Sequence, residues 1–271
     1  MSLRNRFHPR VPVAVLGFLL LGPVLSGRAE AKKVQLTFTP PPKEVLRYKV
    51  EFQQETHAGG MEFTFNMTGE AELSFLEKTE DGNSKLAIKL SSIEASMMQM
   101  GNLVEQDPGL EGTSVHVTAS PRGDVLEVEP QQVLSDAQVE LLETLVENFF
   151  AYLPEEAVET EDTWVQKRFE ESDSDDTDLP ALDGSLEYML DDIEKKDGVQ
   201  VAKIVGEGSL KINEMTPQGL FAGEAKVESE SLTSIASGCV LRKKSSMEVS
   251  GKVGGTFDVD QAHFFEVKLQ K

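Results

Sequence analysis

The sequence of 271 residues predicts a mainly β protein of the α+β class, a curved antiparallel sheet of about ten strands with one main amphipathic helix near 135–153. Three observations lead there. Apolar and polar residues alternate with period two over most of the chain, as in strands with one buried face. One such run, Phe63 to Phe75, holds a single register throughout, and at 3.3 Å per residue it would extend about 43 Å, long for a globular strand. One segment alone switches to a helical period.

The N-terminus reads as a secretory leader. Arg4, Arg6 and Arg10 precede an apolar run from Val11 to Leu25, and Ala29-Glu30-Ala31 matches a small-residue cleavage site, so the working chain is expected to begin at Lys32 after cleavage at Ala31. Pro12, Gly17, Gly22 and Pro23 interrupt the apolar run, which disfavours an uncleaved anchor. The expectation is an exported chain, periplasmic or extracellular, soluble once cleaved, with residues 32–271 forming a single β-rich domain. Cys239 is the one cysteine and cannot bridge within its own chain, so stability must come from a core.

The strands follow in order. Tyr48, Val50 and Phe52 alternate with charged and polar neighbours. In the long run, Phe63, Phe65, Met67, Ala71, Leu73 and Phe75 share one face, and Gly69 at its middle can supply a bend. Asp81-Gly82 turns residues 73–78 back onto 85–90, Ser120-Pro121-Arg122-Gly123-Asp124 joins 115–119 to 125–129, and Asp197-Gly198 joins 186–193 to 199–205. Later strands read from Phe221 to Val227, Met247 to Val253 and Phe265 to Leu269. The helix has Ser135 as N-cap, Gln138 completing a capping box and Leu134 placed to staple onto Val139; Leu142, Leu145, Val146, Phe149 and Leu153 form its apolar stripe, and Pro154 ends it. The small-residue stretches 68–72 and 222–226 read as two outcomes of one β pattern rather than a duplication.

Charge excludes several partners. The chain carries 26 basic and 47 acidic residues. Loss of Arg4, Arg6, Arg10, Arg28 and Glu30 with the leader would take the balance from −21 to about −24. Nucleic acids need clustered Lys and Arg, and anionic membrane surfaces repel such a chain. The densest acidic stretch, Glu170 to Asp178, lacks the glycine and terminal glutamate of a calcium loop when counted from Asp173, so an acidic loop near 170–180 is expected instead.

No catalytic constellation stands out. His57, His116 and His263 are not at metal-ligand spacing, no nucleophile elbow or phosphate loop occurs, and carboxylate pairs are too abundant to be informative. Asn66-Met67-Thr68 matches a glycosylation sequon in mid-strand, and Met97, Met98 and Met100 form a soft apolar cluster. The expectation is no cofactor, no metal, no enzymatic step and a monomer.

Residues 47–52, Thr118-Ala119-Ser120-Pro121-Arg122-Gly123-Asp124-Val125-Leu126, 153–164 and the hairpin at Asp197-Gly198 resemble a group of uncharacterised secreted bacterial proteins. That group is similar in architecture to the lipoprotein-localisation-factor superfamily. The resemblance implies an open antiparallel half-barrel wrapped around helical cover, with lipid or lipoprotein carried in the concave face of some relatives. Where the group has a glycine before Asp-Thr-Trp, this chain has Glu161 before Asp162-Thr163-Trp164. The leading expectation is therefore an exported envelope protein that binds a lipid, another apolar ligand or a partner segment between sheet and helix, with Val139, Leu142, Leu145 and Phe149 lining the cavity. The alternative is a structural or protein-interaction module whose helix fills the core; an enzyme of unrecognised type ranks third. An apolar void of about a few hundred Å³ beside Val139, Leu142 and Phe149 distinguishes a carrier from a module packed tightly there.

Overall fold

The fold is that of a computed structural model, which describes residues 33–99, 101–170, 182–216 and 219–270, all within one compact unit, Lys32–Lys271. The leader with its Ala31 site, Met100 and the acidic stretch 171–181 lie outside the described residues.

Twelve strands form one antiparallel sheet: β1 (Val45–Ala58), β2 (Met61–Lys78), β3 (Ser84–Gln99), β4 (Asn102–Gln106), β5 (Ser114–Ala119), β6 (Val125–Pro130), β7 (Thr163–Glu170), β8 (Leu182–Lys196), β9 (Val199–Thr216), β10 (Gly219–Ser234), β11 (Val240–Val253) and β12 (Phe257–Leu269). Their order is β6-β5-β3-β2-β1-β12-β11-β10-β9-β8-β7, with β4 paired to the far end of β3. The first and last strands therefore meet at the centre, Tyr48 opposite Leu269 and Phe52 opposite Phe265. The sheet does not close: β6 and β7 are its two edges, and the whole is a curved half-barrel.

The predicted fold class holds, with corrections to the count and the boundaries. Two of the twelve strands, β4 and β7, carry no readable alternation. Every residue of β4 is exposed, so neither face selects for apolar residues. In β7 the register sets Trp164, Gln166 and Arg168 on one face, opposite Tyr188, Leu186 and Gly184, while Val165 on the other face stands half exposed. The helix α1 spans Asp136–Glu147, not 135–153. Its last turn tightens, with Asn148 N–H donating to Leu145 O and Phe149 N–H to Val146 O, while the Asn148 side chain caps Thr144 O at 2.8 Å. Phe149 to Leu153 then leave the helical path to fill the core.

The long strand bends at Gly69. The β2–β3 register slips between Thr68 and Glu70, and Ser92 on the facing strand takes a left-handed φ of 54°. The Ile93 side chain occupies the space a Cβ on Gly69 would need, so the missing side chain lets the two strands curl together.

The concave face is half plugged. Leu142, Leu145 and Val146 of α1, with Phe149 just beyond its end, are buried in one core cluster with Tyr48, Val50, Leu73, Leu86, Ile88 and Val115 of the first half of the sheet. The Phe149 ring meets Tyr48 edge-on at 5.3 Å, and Phe150 meets Phe38 of the N-terminal segment at 5.2 Å. The start of the helix is held by Gln138, which accepts from Ser135 N–H at 2.9 Å and donates to Pro108 O and Gly109 O.

The Ser120–Asp124 hairpin turn ties this arrangement together. Ser120 Oγ donates to Asp124 Oδ2 and accepts from the Asp124 and Arg122 N–H groups. Its Pro121 carbonyl accepts from Phe38 N–H, and Arg122 O accepts from Leu153 N–H at 2.7 Å. The Arg122 guanidinium lies over Tyr152, 4.4 Å from the ring centre, and pairs with Glu155. This turn thus clamps the segments entering and leaving the core.

Candidate functional site

On the other side of α1, a cavity separates the helix from the sheet, bridged by polar contacts at the helix C-terminal end. Its polar edge, Glu140, Glu143, Thr144, Glu147 and Asn148, faces the concave surface of β8–β12 across a cavity of about 470 Å³. The physical reason lies in the helix pattern: carboxylates and amides cannot pack dry against leucines. Only the apolar stripe is drawn down, and the opposite edge is left standing off.

The floor is built from the cross-strand register. Gln166, Leu186, Gly208, Val227, Met247 and His263 form one row across six strands, and Arg168, Gly184, Leu210, Ala225 and Val249 form the next. Glycine at three inward positions lets larger neighbours lie flat: Leu186 covers Gly208, Leu210 covers Gly184, and the Tyr188 ring covers Gly206. Leu186, Leu210, Phe221, Ala225 and Val249 make a second apolar cluster, distinct from the core beneath the helix, with Ile212, Val227, Met247 and Val253 half-buried around it.

One end of the cavity is polar. Arg168 of β7 engages both oxygens of Glu147 at 3.3 Å. Lys243 of β11 donates to Phe150 O at 2.8 Å and Glu147 O at 3.4 Å, the carbonyls at the end of α1. The last turn of α1 carries no basic residue of its own, so the sheet supplies the cations that complement the helix C-terminus. Ser245 Oγ donates to Asn148 Oδ1 at 2.7 Å. Burial pushes the Lys243 ammonium down to about 8, against the pull of Glu147. It pushes the Tyr188 hydroxyl up to about 12. His263, beside Phe52, is also lowered by burial.

The cavity-lining residues expected from the sequence lie elsewhere. Leu142, Leu145 and Phe149 are packed in the core, Val139 is half-buried at the helix start, and none of the four lines this cavity. Close packing beside Leu142 and Phe149 and an open cavity on the opposite helix edge therefore coexist. Sequence reasoning missed Leu186, Leu210, Val227 and Met247 as a floor, although inward glycines alternating with leucines in β8 and β9 were a readable signal. Lys243 and Arg168 gave none, because a cation on a strand reads as solvent-facing.

The remaining singled-out residues have structural positions. Trp164 stacks on Tyr188 and donates to Tyr152 O at 3.1 Å. Cys239 is buried, with its thiol pushed up by burial. His57 is exposed and Asn66 is half-buried in mid-strand. Met97 borders a shallow groove with Phe63 and Phe65. Among the described residues, no group of three or more His, Cys, Asp or Glu side chains is placed to hold a metal ion. No helix among them is long and apolar enough to cross a membrane.

No family model matches the chain, and no curated protein matches it. Among solved structures it is similar to lipovitellin, in a structure concerned with lipid–protein interactions, with a TM-score of 0.55 at 10% identity. That match covers 85% of this chain and 25% of lipovitellin, so the chain spans a quarter of its length. The likeness is one of fold. A DUF1329 family protein from Desulfovibrio piger (10% identity, 84% of this chain and 87% of that one) and DynF from the dynemicin biosynthesis pathway of Micromonospora chersina (11%, 88% and 85%) superpose only at TM-scores of 0.21 and 0.20.

Proposed function

We propose that this chain is an exported bacterial envelope protein that binds a lipid or other apolar ligand between α1 and the β8–β12 face, without catalysing a reaction. The observation that carries this reading is the cavity of about 470 Å³ with a continuous apolar floor, a volume within the usual range for small-molecule sites. The leader sequence supports export, and both the family resemblance and the lipovitellin-like fold support an apolar cargo. The test is to purify the exported chain, whose first residue is expected to be Lys32, and to analyse it by native mass spectrometry and lipid extraction. Retention of an apolar molecule, and its loss in Val227→Trp with circular dichroism unchanged, is the expected result. Recovery of no ligand, together with failure to bind apolar dyes, would sink the carrier reading.

The second reading, a structural or protein-interaction module, is favoured by one observation: the apolar stripe of α1 is buried in the main core. It expects Val227→Trp to leave every binding property unchanged.

A further inference from the structure

The cavity has two chemically different ends. Its floor of Leu182, Leu186, Leu210, Ile212, Val227 and Met247 is apolar, whereas the end beneath the α1 C-terminus is walled by Arg168 and Lys243. The two cations are not equally compensated. Arg168 is committed to the Glu147 carboxylate through both terminal nitrogens. Lys243 has no carboxylate partner among the described residues and donates only to the carbonyl oxygens of Glu147 and Phe150. An ammonium carries three donors, so one of them meets no protein acceptor among those residues. A partly desolvated cation whose nearest carboxylate, Glu147, is already engaged by Arg168 is costly, and a ligand oxygen bearing negative charge would lower that cost.

The groups around Lys243 permit this. Glu147 from α1 is engaged by Arg168 from β7. Asp124, in the turn before β6, takes hydrogen bonds from Ser120 and Gln166. Tyr188 from β8 donates to Gln166, and Tyr152 lies under Arg122. Glu140 and Glu143 also line the cavity from α1, two turns and one turn before Glu147, with exposed side chains that solvent screens.

Building on the reading of the cavity as an apolar-ligand site, we propose that Lys243 is its head-group anchor and that the ligand is a single-chain amphiphile with an anionic oxygen head, its tail lying along the floor. The test compares hexadecanoate, hexadecanol, hexadecyltrimethylammonium and inorganic phosphate as competitors for a bound apolar dye on the leader-cleaved chain. Hexadecanoate is expected to compete about tenfold better than the alcohol, the factor set by one charge-assisted hydrogen bond, with the cationic amphiphile weakest and phosphate ineffective. Lys243→Met should remove the advantage of the acid and leave the alcohol unchanged, and Lys243→Arg should restore most of it. On the unaltered protein, the affinity for hexadecanoate should fall as pH rises past about 8, whereas titration of the fatty acid itself would act in the opposite sense. Equal binding of acid and alcohol, a preference for the cationic amphiphile, displacement by phosphate, or equal loss of acid and alcohol in Lys243→Met each overturns the head-group assignment alone. If the chain binds neither dye nor any of the amphiphiles, the apolar-ligand reading falls with it.

Discussion

Glu161 holds a left-handed backbone with φ of 75°, anchored by its N–H to Leu190 O at 2.8 Å. A side chain in this region costs about 1–2 kcal/mol, and glycine escapes that cost while losing part of the gain to its freer unfolded chain. Glu161→Gly is therefore expected to stabilise the protein by about 0.5–1 kcal/mol in urea unfolding. The converse case is Gly123, at φ of 82°, where an added Cβ would run into the backbone carbonyl of Ala151. Gly60 has a similar φ of 78° and open space around it. Gly123→Ala should cost clearly more than the roughly 1 kcal/mol of backbone strain expected for Gly60→Ala; equal losses would show that the contact with Ala151 is easily relaxed. Lys243 supplies a pH test. Its folded pKa of about 8 lies below the ordinary 10.5, so the unfolded chain holds this proton more tightly. Its contribution to stability is least favourable below pH 8 and improves as pH rises from about 8 to about 10.5. Subtracting the urea stability of Lys243→Met from that of the unaltered protein across this interval should give a rising curve, and a flat difference would remove Lys243 as the titrating group.

At the scale of elements, α1 is the part on which both faces of the interior depend. Its apolar stripe is core, so Leu142→Ala should cost about 2–5 kcal/mol as a buried leucine truncation. Gln138→Ala removes the acceptor for Ser135 N–H and two bonds to the loop at Pro108 and Gly109; about 1–2 kcal/mol is expected from the lost cap and anchors. Both are read from urea midpoints, and the smaller loss should come with the Gln138 variant. The capping box and the apolar stripe were legible in the sequence because they are local patterns. The early end of the helix was not, because Phe149 to Leu153 satisfy the helical period yet are drawn out of it by packing against Tyr48, Phe38 and the Arg122 turn. The register of β7 was hidden for the opposite reason: its inward positions are Trp164, Gln166 and Arg168, of which Arg168 reaches the polar end of the cavity.

At the scale of the molecule, the chain carries a balance of −21, and its sheet has long solvent-facing rows. Many charges on the convex face are paired, as Arg242 and Lys244 are with Glu266, and Lys203 with Asp191 and Glu230. These pairs are partly exposed and individually worth little, so the surplus of acid dominates. Raising ionic strength from very low salt to about 0.15 M, where the screening length is about 8 Å, should therefore raise the melting temperature. A fall would mean that the ion pairs outweigh the net repulsion. The same surplus opposes self-association, whereas the unclosed β6 and β7 edges leave backbone groups available for pairing.

The sequence by itself determined that this chain is a curved antiparallel β protein with one capped amphipathic helix, because strand and helix periods and turn chemistry are local properties. It also specified where the long strand bends, since Gly69 is the inward position without a side chain. Which side of the helix would face a cavity was decided only by the tertiary structure. The apolar stripe, read as a lining, was consumed by the main core. The acidic edge was left over β8–β12, and cross-strand register alone assembled Leu186, Leu210, Val227, Met247, Arg168 and Lys243, which are far apart in the chain, around one space.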